Sequence, residues 1–157
     1  MQETRGMQWI KGKVERGYIT ILSQGEGKIT FEIVKSSSKI KPSIKTNSFT
    51  MLINVKEESN IREMTGVLDP MATPKIMDRL KIIQDDVITK EIKLAINAAQ
   101  KKFGADVFGF GDMIHRDDPK EWASIEGQWK DIFPYLNIDI RVISSLKRPG
   151  YISKPME

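Results

Sequence analysis

The chain has 157 residues, 39% of them hydrophobic and 29% charged, with a formal net charge of +4. These totals suit one globular domain with a single sizeable core. Cysteine is absent and no apolar run approaches the ~20 residues that span a bilayer, which excludes a disulfide framework, a thiolate zinc site and a spanning helix.

Charge is unevenly spread. Residues 11–45 hold eight Lys/Arg against three Glu, whereas from residue 61 onward there are fifteen of each sign. Spaced lysines of this kind read as the solvated face of strands and a guard against edge pairing, ahead of a phosphate or membrane surface.

Residues 1–16 read as the remnant of a linker from a preceding domain, and 17–157 as one domain. Tyr18-Ile-Thr-Ile-Leu22 is a short β-branched strand. Gln24-Gly-Glu-Gly27 supplies turn chemistry, and a strand follows with Ile29, Phe31 and Ile33 on one face, so the two form a hairpin. Ser36 to Ser38 and Pro42 mark a bend or an irregular edge. Phe49, Met51, Ile53 and Val55 restore strict alternation, and Ile61 to Met64 extends that strand or adds a small one.

The middle of the chain is helical. Thr73 can cap, and Pro74 fits the first helical position because its missing N–H would be unpaired there. From Ile76 through Leu80, Ile83, Val87, Ile88, Ile92, Ala95, Ile96 and Ala99 to Phe103, apolar residues recur in steps of three and four. Gly104 suits the left-handed residue after the helix, and Asp86 to Thr89 is where a break could fall.

Residues 105–117 read as a strand-like segment and a turn. A second helix starts at Asp118-Pro119-Lys-Glu121, with Asp at the cap, Pro inside it and Glu three residues on. Trp122, Ile125, Trp129 and Ile132 form its apolar stripe, and Phe133-Pro134 ends it. Ile138-Asp-Ile-Arg-Val142 is a closing strand running toward Leu146, and Pro149-Gly150 turns into a tail. The order β-β-β-α-α-β predicts an α+β fold: an antiparallel sheet of about four strands, with one long and one shorter helix on one face.

The chemistry-bearing residues sit mostly between Ala105 and Trp122. Asp112, His115, Asp117 and Asp118 are neighbours in sequence but match no metal-ligand spacing. No nucleophile elbow is present, and a single His beside a strand end reads first as a structural hydrogen-bonding residue. Gly109-Phe-Gly111 is only G-x-G, because Ile114 stands where a dinucleotide loop needs its third glycine. Phe31 and Phe49 beside lysines loosely evoke a nucleic-acid platform, but both belong to the apolar faces the helices must cover, so no nucleic-acid partner is expected. No cofactor is implied.

One resemblance covers nearly the whole chain. Ala98-Ala-Gln100, Ala105-Asp-Val-Phe-Gly-Phe-Gly111, Ile114-His-Arg116, Pro119, Trp122, Trp129, Phe133-Pro134 and Gly150-Tyr-Ile-Ser-Lys-Pro155 occur in order. Together they resemble the C-terminal domain of the GerAC-like spore germination lipoproteins, the C subunits of germinant receptors. Glu3-Thr-Arg-Gly6 is similar to the family's segment leading into this domain. The first half of the domain matches mainly as a strand pattern.

The resemblance implies a secreted lipoprotein anchored by an N-terminal cysteine on the outer face of the spore inner membrane. It implies work beside an integral-membrane A subunit and a membrane B subunit in nutrient-triggered germination, with no enzymatic activity established for the C subunits. The signal, the lipid-carrying cysteine and the N-terminal domains are not in this sequence, so anchorage is expected to belong to the longer protein. The leading expectation is a non-enzymatic interaction domain. The alternative is a small-ligand (germinant) binding module with a pocket near the Phe-Gly-Phe-Gly-His segment, using Phe108, Phe110, His115, Arg116 and Trp122. An enzyme with His115 as general base ranks third.

Overall fold

The computed structural model describes residues 2–23, 27–45, 48–65 and 74–147. Outside them lie the turn residues Gln24, Gly25 and Glu26, the Thr73 cap, the Pro149-Gly150 turn and the Gly150-to-Pro155 motif.

Strands β1 (Gly17–Ser23), β2 (Gly27–Lys45), β3 (Ser48–Thr65) and β4 (Asn137–Lys147) form one sheet in the order β1-β2-β3-β4. The first three are antiparallel neighbours. β4 runs parallel to β3, from Thr50 opposite Asn137 to Asn60 opposite Lys147. The sheet is therefore mixed, which corrects the antiparallel expectation at this one pair. Alternation in Ile138, Ile140 and Val142 is the same for either direction. The long helical crossover between β3 and β4 decides it, since only such a connection lets the chain re-enter at the starting end of β3.

The hairpin of β2 and β3 carries the alternation read from sequence. Ile29, Phe31, Ile33, Met51, Ile53 and Val55 are all buried, and β3 continues through Ile61 to Thr65. The irregularity near Ser36 has a defined form: the register shifts between Ile33 and Lys35, leaving Val34 as an extra residue on β2. From there Ser36, Ser38, Ile40 and Pro42 share the helix-facing side, and β1 no longer flanks β2.

Helix α2 (Pro74–Asn97) packs against β4 and passes without a break through residues 86–89. It continues as a wider π-helical turn, Ala98–Phe103, ended by Gly104 at φ 60°. The wider turn shifts the phase of the stripe, so Phe103 is 62% exposed although the sequence pattern places it on the apolar face. The second helical region is segmented into α3 (Phe110–Asp117), α4 (Pro119–Ile125), a 3-10 turn, α5 (Trp129–Ile132) and a second 3-10 turn. Asp118 caps α4 as expected, its Oδ1 accepting from the Glu121 N–H at 3.0 Å.

Residues 1–16, read as linker, contain helix α1 (Gln2–Ile10). Trp9, Ile10 and Val14 are at most 3% exposed and belong to the same core as the sheet. At Gly6 α1 touches the backbone of α2: a Cβ there would run into the Glu91 carbonyl oxygen and the Ala95 side chain. The helices lie on one face of the sheet. On the other, Lys56 in the penultimate strand is exposed and Ile143 is 52% exposed.

Candidate functional site

The 105–122 stretch is an assembly of close contacts around helix α3, where the sequence suggested a strand and a turn. Gly109 takes φ 75°, a left-handed conformation that opens the helix. The Asp106 carboxylate then reaches forward to the helix N-terminus, accepting from the N–H groups of Phe110 (3.0 Å) and Gly111 (2.8 Å). Its Oδ2 also accepts from the Trp129 indole at 3.2 Å, joining α3 to α5. Gly111 is a packing glycine: a Cβ there would come within 2.7 Å of the Trp122 ring.

Ring contacts run through the segment in a continuous path. Phe108 stacks on Phe110 at 5.1 Å, and Phe110 leads through Phe133 and Trp129 to Trp122 at 6.3, 6.2 and 5.5 Å. Trp122 stacks on His115 at 6.0 Å. His115 thus sits exposed on α3, against an indole, in place of the strand end expected for it. The Ala98-Ala-Gln100 motif is also a packing device: both alanines are buried, and Gln100 Nε2 donates to the carbonyls of Phe133 and Leu136 at 2.9 Å each.

The five candidate residues divide. Phe110 is fully buried in the core, and Trp122 lies half-buried over Gly111 with His115 against it. Phe108 and Arg116 line a different space, a cleft of about 590 Å³ between α1, β2 and α3. Its other walls are the neighbouring Met113 and Asp117 on α3 and residues far away in sequence: Ile10 at the end of α1, Lys11 and Lys13 after it, and Ser38, Ile40 and Pro42 on β2. The sequence reading missed Lys11, Lys13 and Ser38, because nothing local links them to Arg116.

Two buried carboxylates were also missed. Glu91 on α2 accepts from the Trp9 indole at 2.9 Å and from two nitrogens of Arg5, whose pKa is raised by that hydrogen-bonded pairing. Glu57 on β3 is 3% exposed and accepts from Gln84 Nε2 at 2.9 Å, while Gln84 also bonds Ser59. Burial pushes the Glu57 carboxyl from 4.5 up to about 7; the nearby Ser59 and Ser144 hydroxyls oppose the rise, and the charges of Asp85 and Glu58 add to it. Among the described residues, neither Glu57 Oε1 nor Ser144 Oγ has a hydrogen-bond partner of normal geometry. Asp85 instead accepts from the Ser144 backbone N–H at 2.8 Å, occupying a ladder group of edge strand β4. A signal existed: Glu57 and Ser59 continue the inward alternation of β3, and Gln84 lies on the Leu80-Ile88-Ile92 stripe. Among the described residues no group of three or more His, Asp or Glu is placed to hold a metal, and no helix is long and apolar enough to cross a membrane.

Over residues 1–150 the chain matches the family described as spore germination B3/GerAC like, C-terminal. It is 28% identical over 131 residues to spore germination protein B3 of Bacillus subtilis (strain 168), covering 83% of this chain and 35% of that protein. Spore germination protein KC of the same organism is 22% identical over 162 aligned positions, covering 99% of this chain and 38% of that protein. The crystal structure of the GerBC protein matches with a TM-score of 0.78 at 25% identity, covering 92% of this chain and 44% of that one. The chain thus spans less than half the length of each of these relatives. With residues 1–150 matched by the family model, the chain belongs to the spore germination B3/GerAC-like family as its C-terminal domain.

Proposed function

We propose that this domain is a non-enzymatic interaction module of a germinant receptor C subunit, acting in nutrient-triggered spore germination. On this reading its partners are the receptor's A and B subunits. A lipid anchor elsewhere in the longer protein holds it at the outer face of the spore inner membrane. One observation carries the reading most directly: among the described residues the helices cover a single face of the sheet, and the opposite face is left to solvent. That face presents Lys39, Lys56 and Arg141 around the half-exposed Ile143, above a shallow depression of about 570 Å³. Apolar surface set among cations suits an acidic partner surface with an apolar centre. The motifs that resemble the family support the same view from the other side. Asp106, Gly109, Gly111 and Gln100, which belong to those motifs, are used in caps and close contacts within the domain.

The test is made in the parent gene. Deleting this domain is expected to abolish nutrient germination and to release the A and B subunits from the C subunit in pull-downs. The triple variant K39E/K56E/R141E is expected to do the same with an unchanged melting temperature, since all three side chains are exposed. Normal germination and intact receptor assembly in the deletion strain would refute the proposal.

A further inference from the structure

The cleft between α1, β2 and α3 holds three cations, Lys11, Lys13 and Arg116, against one carboxylate, Asp117. None of the three makes an ion pair or side-chain hydrogen bond with a described residue, although this chain pairs Lys28, Lys35, Arg62, Lys81 and Lys147 elsewhere. Unpaired cations scattered over a surface mean little. Here they converge on one space from the ends of two helices.

The rest of the wall is not a charged surface. Ile10 and Phe108 are buried core side chains whose edges reach the cleft, and Met113, Ile40 and Pro42 extend that apolar wall. Ser38 contributes to the wall from β2, with its hydroxyl buried behind the surface and without a hydrogen-bond partner among the described residues.

Backbone contacts fix where the two lysines leave α1. Gly12 at φ 63° turns the chain after α1, and backbone bonds Lys11 to Met7, Gly12 to Trp9 and Lys13 to Gln8, of 2.9–3.0 Å, hold the two lysines. Gly12 packs on β2 so closely that a Cβ would lie 3.0 Å from the Ser38 nitrogen. Arg116 stands in the last turn of α3, whose first turn Asp106 caps.

We propose that this cleft binds a small organic monoanion, a carboxylate carrying an apolar body. Lys11, Lys13 and Arg116 meet the carboxylate, and the Ile10-Phe108-Met113 wall meets the body. The volume of about 590 Å³ lies in the usual range for small-molecule sites. This goes beyond the interaction role above and does not depend on it, since the cations of the sheet face, Lys39, Lys56 and Arg141, are not those of the cleft.

The 157-residue chain is titrated with 3-phenylpropionate while amide chemical shifts and binding heat are followed. The comparators are 3-phenylpropanol, which has the body without the charge, and inorganic phosphate, which has charge without the body. Saturable shifts are expected at Gly12, Ser38 and Arg116 with 3-phenylpropionate, and affinity at least about tenfold weaker for either comparator, one charged or apolar contact's worth. R116Q and K13Q should each weaken binding about tenfold.

The cations also offset the negative ends of α1 and α3. If that is their whole role, K13Q and R116Q lower the melting temperature and leave the titration unchanged, which overturns the proposal. Equal binding of 3-phenylpropanol or phosphate, or no saturable shift with 3-phenylpropionate, overturns it as well.

Discussion

Replacing Glu57 with Gln removes a buried titrating group and keeps its shape. In the folded chain this carboxyl titrates near 7, against 4.5 for an exposed one, chiefly because burial penalises its charge. The folded state therefore holds an extra proton between those values. Both states are protonated at lower pH and no penalty exists. As pH rises through 4.5 the unfolded chain begins to release its proton, and stability falls until about pH 7, where the loss is complete. A shift of that size corresponds to at most about 3 kcal/mol. In the Glu57→Gln variant the new amide would still accept from Gln84 through its oxygen. Its nitrogen would lie where Oε1 now has no partner, within the neighbourhood of the equally unpartnered Ser144 hydroxyl. Urea unfolding of both proteins at pH 5 and pH 8, followed by tryptophan fluorescence and extrapolated linearly, measures the difference. The variant should match the parent within about 1 kcal/mol at pH 5 and exceed it by up to about 3 kcal/mol at pH 8. Parallel pH profiles for the two proteins would show that Glu57 does not titrate as argued.

Two further substitutions test the packing. Gly111→Ala places a methyl 2.7 Å from the Trp122 ring, an overpacking that should cost about 1–3 kcal/mol and alter the near-ultraviolet circular dichroism; an unchanged melting temperature would mean that the ring and α3 separate freely. Glu91→Ala strands the Trp9 indole and Arg5 together, with an expected loss of about 3 kcal/mol, roughly 8 °C in melting temperature. A loss under about 1 kcal/mol would make the α1–α2 contact a peripheral one.

The elements legible in the sequence are those whose own side chains repeat with the right period. Ile29, Phe31 and Ile33, the α2 stripe from Leu80 to Ile96, and the Asp118-Pro119-Glu121 start of α4 all lie where the pattern put them. Helix α3 was hidden because glycine at 109 and 111 argues locally against helix, by about 1 kcal/mol for an interior glycine. Its stabilising cap, Asp106, sits four and five residues before the N–H groups it serves, outside the usual capping spacing. Helix α1 was hidden for a related reason. Its Gly6 weakens it in isolation and makes sense only against the Glu91 backbone.

The candidate site shows the same division. Phe108 and Arg116 were singled out from the motif that contains them, while His115, Phe110 and Trp122 of the same motif serve the stacking path and the core. Lys11, Lys13 and Ser38 complete the cleft from 70 or more residues away, and no periodicity connects them with Arg116. The amino-acid pattern alone determined the α+β class, the strand faces, the long helix and the family motif, because those are set by side-chain period and local caps. Only the tertiary structure decided that β4 runs parallel, that α1 belongs to the core, and that cations from two helix ends meet at one cleft. Each of these rests on contacts between segments distant in the chain, where chain direction and close backbone approach, and not local preference, select the arrangement.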